Sequence, residues 1–172
     1  SVDIPLERLT LRIAANDGPL AAELVFQARH APIEEPRFIR RNGTRMFMDY
    51  TRMTQNGHWS GWFSVKGERV TLDAGWAGTR DRSWGIRPVG AAESQPPPTG
   101  NFSQFFWVLT PCNCGDASLF FHSNDDAEGL AWNRRAVLAD DDGQEMHFDA
   151  PRLAIDWVKG TRRAASLSVD LG

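Results

Sequence analysis

The side chains best able to do chemistry are concentrated in one stretch, from Gly75 to Arg87. In an extended chain, successive side chains point to opposite faces. Alternation would then give two groups: Arg80, Arg82 and Trp84 on one face, Asp81 and Ser83 on the other. Neither group is apolar, and an unpaired buried charge is costly. Two interpretations follow: a surface ladder of ion pairs between Asp81 and nearby arginines, or a polar site at the mouth of a barrel.

The four histidines do not have the spacing of metal ligands. They are His30, His58, His122 and His147. We expect each to be an ordinary surface or core histidine, and His58 is the best exception. It shares a face with Ser60 and Trp62, close in sequence to the polar stretch, so we include it among candidate binding residues.

Two cysteines, Cys112 and Cys114, lie in a Pro-Cys-Asn-Cys-Gly segment. Two thiols without a nearby histidine do not complete a zinc site, and a disulfide across one residue would be strained. We therefore expect reduced thiols in a turn, no metal and no cofactor. Reduced thiols favour a cytoplasmic location.

Composition narrows the classes of partner. The net charge of −3 gives no general attraction to nucleic acid, and no apolar run is long enough to span a membrane. Seven Trp and ten Phe in 172 residues are a heavy aromatic content. Such side chains either fill a large core or line an apolar cavity for a small molecule.

Alternation of apolar and polar residues with a period of two dominates the chain. Turn signals occur at Asn16–Pro19, Asn56-Gly57, Lys66–Glu68 and Asp142-Gly143, and the proline-rich segment 91–100 reads as a long loop. The predicted strands are 9–13, 20–28, 45–55, 58–66, 69–76, 102–109, 117–122, 130–139, 145–149, 152–158 and 162–171. Short sequential strands without helices predict one all-β domain over residues 1–172, an antiparallel lipocalin/calycin-like barrel of about ten strands.

Residues 45–88 resemble a known family. The pattern consists of Tyr50 and Gln55, a glycine-containing hairpin from Gly57 to Glu68, and the segment from Gly78 to Arg87 with its Arg-Asp-x-Ser-Trp-Gly core. It is similar to that of the lipocalin-like superfamily of carotenoid 1,2-hydratase (hydroxyneurosporene synthase) and AttH-type proteins. Members resemble two barrels in tandem, in chains about twice this length. The resemblance thus implies a single-barrel relative or a fragment lacking its second barrel. Unpaired strand edges would then favour a homodimer.

In the carotenoid hydratases, the aspartate at the position of Asp81 is thought to protonate an alkene. The resemblance therefore implies Asp81 as a catalytic acid, of the hydro-lyase or isomerase type. The residues around it differ from the hydratase pattern, and a proton donor of this kind must be neutral before transfer. Arg80 and Arg82 would tend to keep Asp81 ionised, although alternation aims them away from it.

Three hypotheses therefore stand. The first is binding of a terpenoid, carotenoid or acyl-type molecule within the barrel. The second is acid-assisted hydration, cyclisation or isomerisation at Asp81, and the third is a structural role for the motif between two barrels. The candidate ligand-binding residues are Tyr50, His58, Trp62, Arg80, Trp84 and Arg87.

Overall fold

A computed structural model of the chain describes residues 1–86 and 106–172. These residues form thirteen strands, all paired antiparallel. The predicted all-β, barrel-like class is confirmed, because the largest sheet curls into a half-barrel. The strands outnumber the expected ten, and in the described ranges their hydrogen bonds join them into three sheets. No helix in the described ranges is long and apolar enough to cross a membrane.

The half-barrel is built around one long strand, β6. Its strands are Val2–Ile4 (β1), Arg8–Ile13 (β2), Leu20–Ala28 (β3), Ile33–Glu34 (β4), Phe38–Asn42 (β5), Arg45–Val65 (β6) and Glu68–Ile86 (β7). Strands β3, β4 and β5 pair with successive parts of β6, and β7 pairs with nearly its whole length. The turn between β6 and β7 lies at Lys66-Gly67, as predicted, and both residues have positive φ.

Two further sheets follow. Phe106–Cys114 (β8), Ala117–Asp125 (β9), Ala131–Asp140 (β10) and Glu145–Phe148 (β11) form a four-stranded meander, and Arg152–Trp157 (β12) and Ala164–Asp170 (β13) form a hairpin. The meander packs against the half-barrel, where Ile33 joins Phe120, Val137 and Ala139 in a buried apolar cluster. Arg29 links the sheets by donating to Asp141 and to the carbonyl of Ala117.

Two local predictions are wrong. Cys112 and Cys114 are free, as expected, but they lie in β8 rather than in a turn, which comes after them at Gly115 and Asp116. Asn56-Gly57 does not form a turn either, since β6 runs straight through it. Gly57 serves close packing instead, because a Cβ atom there would lie 2.5 Å from the Phe26 ring and 2.3 Å from the Gln27 carbonyl oxygen.

The two faces of the β6–β7 pair have different surroundings. Registered pairs of an antiparallel ladder point the same way. One face, here called the packed face, carries Tyr50, Arg52, Thr54 and Asn56 with Asp81 and Ser83, and lies towards the meander, whose Cys112 carbonyl accepts a hydrogen bond of 2.9 Å from Asn56. The other, here called the open face, carries Met53 and Gln55 with Arg80, Arg82 and Trp84. The alternation predicted for residues 80–84 is therefore confirmed.

Substituting Gly57 by alanine tests this close packing. Overpacking at this site should lower the free energy of unfolding by about 2 kcal/mol or more, since the nearest obstacle is backbone. Gly75→Ala is the matched control, because its Cβ would meet only the Asp73 carboxyl at 3.4 Å. Urea unfolding of both variants measures the difference, and equal stabilities would contradict the packing described for Gly57.

Candidate functional site

Asp81 lies on the packed face of β7, opposite Thr54 in β6. Its carboxyl is half-exposed, and Oδ1 lies 3.8 Å from Nε of Arg52. The flanking Arg80 and Arg82 point to the open face, so the cation beside Asp81 comes from the neighbouring strand and not from the motif itself. Asp81 therefore has an ion-pair partner that its own sequence neighbourhood does not reveal.

Arg52 is the centre of a buried charge cluster. Its side chain is only 5% exposed, and Nε lies 3.3 Å from Oε1 of Glu35 as well as close to Asp81. The Trp107 ring of β8 lies against the guanidinium, with the ring centroid 4.8 Å from Cζ. Two carboxyl groups and an indole thus surround one cation. Their attraction offsets part of the free-energy cost of removing that cation from water.

Glu35 is the most perturbed acid of the cluster. Backbone bonds fix its position: its N–H donates to the Arg52 carbonyl at 2.8 Å, and its carbonyl accepts from the Thr51 hydroxyl at 2.6 Å. Burial raises the pKa of Glu35, the attraction of Arg52 opposes this, and the charge of Asp81 adds to it, so that the resulting pKa is about 7. Near neutral pH, a large fraction of Glu35 therefore carries its proton.

His122 of β9 faces Glu35 from the meander. Its Nδ1 lies 3.9 Å from Oε1 of Glu35, and its Nε2 lies 3.2 Å from Oδ1 of Asn133. Burial lowers the pKa of His122, and the charges of Arg52 and Arg135 lower it further. A neutral His122 whose Nε2 donates to Asn133 presents Nδ1 as an acceptor towards the protonated Glu35.

A small cavity of about 20 Å³ lies beside this cluster. Apolar side chains from both sheets line it, together with Glu35, Thr54, His122 and Arg135. Both Glu35 carboxyl oxygens, the Thr54 hydroxyl and Nε of Arg135 are buried without a hydrogen-bond partner. The volume and these polar atoms suit about one water molecule, which could bridge them. The space is too small for an organic substrate, so the cluster can hold and exchange a proton but not enclose an alkene.

A second feature, the open cleft, lies on the opposite side of β6. Its volume is about 340 Å³, and it is lined by Leu6, Pro32, Glu34, Met53, Arg82 and Trp84. The Trp84 side chain is 43% exposed at this cleft, whereas Met53 at its base is buried. Unlike the cavity between the sheets, this cleft has room for a small molecule.

The predicted binding residues are split between these two faces. Trp84 and Arg80 lie on the open face, while Tyr50 is buried on the packed face against Phe38, with ring centroids 4.4 Å apart. Arg87 lies outside the described residues.

His58 and Trp62 do not join either site. Both are on β6 beyond Gly57, and His58 is exposed. Trp62 stacks under Arg69, whose Cζ lies 4.1 Å from the ring centroid. Eight residues of extended strand separate Trp62 from Thr54, the partner of Asp81, a span of about 26 Å.

Three residues of the buried cluster, Glu35, Arg52 and His122, are absent from the predicted site residues, and His122 is expected there only as an ordinary histidine. Glu35 lies in a proline-containing segment that reads as a loop, and His122 follows two phenylalanines in an otherwise apolar strand. For Arg52 a signal exists, because the run Thr51-Arg52-Met53-Thr54-Gln55-Asn56 departs from alternation within a predicted strand. A polar run of this kind indicates a strand whose two faces both meet other parts of the protein.

Replacing Glu35 and replacing His122 should change the pH dependence of the free energy of unfolding in opposite directions. In the folded protein, Glu35 keeps its proton at pH values above 4.5, which is its pKa in the unfolded chain. Its contribution to the free energy of unfolding therefore falls as pH rises through about 7. Folded His122 resists protonation, so its contribution falls as pH drops below 6.5. The Glu35→Gln variant retains His122, so its free energy of unfolding should fall from pH 7 to pH 5. The His122→Asn variant retains Glu35, so its free energy of unfolding should fall by about 2–3 kcal/mol from pH 5 to pH 8.

Urea unfolding of both variants across this pH range makes the measurement. Glu128→Gln, in an exposed turn, controls for the loss of one carboxylate. If the Glu35→Gln and His122→Asn variants both follow the pH profile of the parent chain, the assigned protonation states are wrong.

Comparison with known proteins points to one family. No curated protein and no solved structure matches the chain. A family model described as "Family of unknown function (DUF8625)" matches residues 1–172. The chain, with its half-barrel and its two separate candidate sites, therefore belongs to this family of unknown function, DUF8625.

Proposed function

We propose that this protein binds a hydrophobic small molecule, of the terpenoid, carotenoid or acyl type, in the open cleft. The observation that carries the proposal is the cleft itself, which has a volume of about 340 Å³, opens to solvent and is lined by Leu6, Pro32, Met53 and Trp84 with the charged Arg82 and Glu34. A largely apolar concavity of this size with few polar groups is typical of small-molecule sites.

Exposed apolar side chains also lie elsewhere on the open face. The registers place nine large ones on it: Val2, Leu11, Leu20, Ile39, Val65, Val70, Trp76, Trp84 and Ile86. The opposite face of the same strands carries polar residues such as Arg12, Glu23 and Ser64. A sheet normally covers its apolar face, and an unusual amount of exposed apolar surface often marks a binding surface.

The resemblance of residues 45–88 to the carotenoid hydratase and AttH-type superfamily supports the same class of ligand. The geometry around Asp81, however, does not favour turnover there. That carboxyl is half-exposed and forms an ion pair with the buried Arg52, and no enclosed apolar cavity that could hold an alkene surrounds it within the described residues. The acid that does hold a proton near neutral pH is Glu35, and the cavity beside it is too small for an alkene.

The structural hypothesis is also less well supported. It requires Asp81 and Arg87 to form ion pairs at an interface between barrels. Asp81 instead lies 3.8 Å from Nε of Arg52, within the contact between the half-barrel and the meander of the same chain. A binding role for the open face is compatible with that contact, since the two faces of β6 are independent surfaces.

Removing the indole at the cleft should weaken ligand binding. The test uses a neutral naphthylamine dye that fluoresces in apolar surroundings, titrated into the folded protein. Trp84→Ala should raise the Kd about tenfold, since it removes roughly 1.4 kcal/mol or more of apolar contact.

Trp157→Ala is the matched control, because Trp157 is similarly exposed on β12, outside the half-barrel. It should leave the Kd of the dye unchanged. A parent protein that binds no dye, or two variants with equal affinities, would contradict a ligand site at the cleft.

A further inference from the structure

We propose that the ligand of the open cleft is an amphiphile with a monocarboxylate head, and that Arg82, aided by Arg80, recognises that head. This inference rests on the proposed function, and it names the chemical class of the ligand. It follows from the charges on the open face and not from its apolar surface.

The two arginines form an unneutralised cationic pair. They project from the same face of β7 two residues apart, which is about 7 Å along a strand. Among residues 1–86 and 106–172, the ion pairs within 4 Å include neither guanidinium. On the same face, Asp49 is already paired with Arg37, and Glu34 forms no ion pair within 4 Å with either arginine, so the pair can accept a complementary anion.

Arg80 shows that this pair is partly desolvated. Its Nε and Nη2 atoms are buried without a hydrogen-bond partner, and its guanidinium lies 5.8 Å from the centroid of the Phe26 ring. Desolvation lowers the pKa of Arg80, and the neighbouring charge of Arg82 lowers it further. Two like charges beside an apolar surface are unfavourable, and a bound anion would relieve that cost.

Arg82 supplies the direct contact. It lines the cleft together with Trp84 and Met53, and its Cζ lies 6.0 Å from the centroid of the Trp84 ring. A guanidinium in this position can bind the two oxygens of a carboxylate with parallel hydrogen bonds. The hydrocarbon chain of the same ligand would then lie against the apolar side chains of the cleft.

Glu34 narrows the class of anion. It lines the cleft but lies more than 4 Å from Arg82, so it does not neutralise that side chain. Its negative charge opposes a second negative charge on the ligand. The balance of two arginines against one glutamate therefore favours a monoanion, such as a long-chain carboxylate, over a dianionic phosphate ester.

The experiment compares ligands that share one tail and differ in the head. Dodecanoate and dodecanol are used to displace the neutral naphthylamine dye at pH 8, where the acid is ionised. The parent protein should bind dodecanoate about tenfold more tightly than dodecanol, since a charge-assisted pair contributes about 1.5 kcal/mol or more. Increasing the salt concentration should weaken the binding of dodecanoate and leave the affinity for dodecanol unchanged.

Variants assign this preference to the arginine. Arg82→Gln should weaken binding of the acid more than binding of the alcohol and bring the two affinities within about twofold of each other, and Arg82→Lys should retain part of the preference. Arg69→Gln is the control, because Arg69 stacks on Trp62 away from the cleft. It should behave like the parent.

The other outcomes separate the two proposals. If the parent binds acid and alcohol equally, or if Arg82→Gln weakens both equally, carboxylate recognition is overturned while the apolar binding site stands. If neither compound displaces the dye and dodecyl monophosphate does, the ligand is a dianion and the monocarboxylate proposal is wrong. If the parent binds neither the dye nor any of these compounds, the proposed function fails as well.

Discussion

The structure depends on the burial of β6 from both sides between Tyr50 and Gly57. All eight residues of this segment are buried, although most of its side chains are polar. Buried polar groups must find partners, and these hold the neighbouring parts in place. The Gln55 amide donates to the carbonyls of Leu6 and His30, and the Asn56 amide donates to that of Cys112. One strand thereby anchors the N-terminal segment, the chain that leads into β4, and the meander.

Because β6 is buried on both faces, the residues of β7 that pair with it meet two different environments. Alternation along β7 sends Asp81 to the packed face and its flanking arginines to the open face. The half-exposed acid forms an ion pair with Arg52, at the solvent side of the charge cluster. The two arginines keep no carboxylate partner within the described ranges, and they lie beside exposed apolar surface. The residues that suggest proton transfer in the sequence are thus divided in the fold between the ion pair with Arg52 and the open face.

Local patterns predict what depends on local geometry. The alternation of Arg80 to Trp84 and the hairpin at Lys66-Gly67 are of this kind, because strand pleat and turn conformation are set by neighbours in sequence. Asn56-Gly57 misleads for the opposite reason. Its glycine is required by the Phe26 ring of a distant strand, and sequence alone cannot distinguish such a glycine from a turn residue. The Glu35–His122 approach joins residues 87 positions apart, and only the packing of the meander on the half-barrel creates it.

The central claim is that the open face of β6 and β7 carries the binding site while the packed face is structural. Backbone amide NMR of the folded protein, titrated with dodecanoate, tests this claim residue by residue. The account predicts saturable shifts at Leu6, Met53, Arg82 and Trp84, with the amides of Glu35 and His122 nearly unmoved. Shifts centred on Glu35, His122 and Phe120, with the cleft residues unaffected, would place the ligand between the sheets and contradict the account.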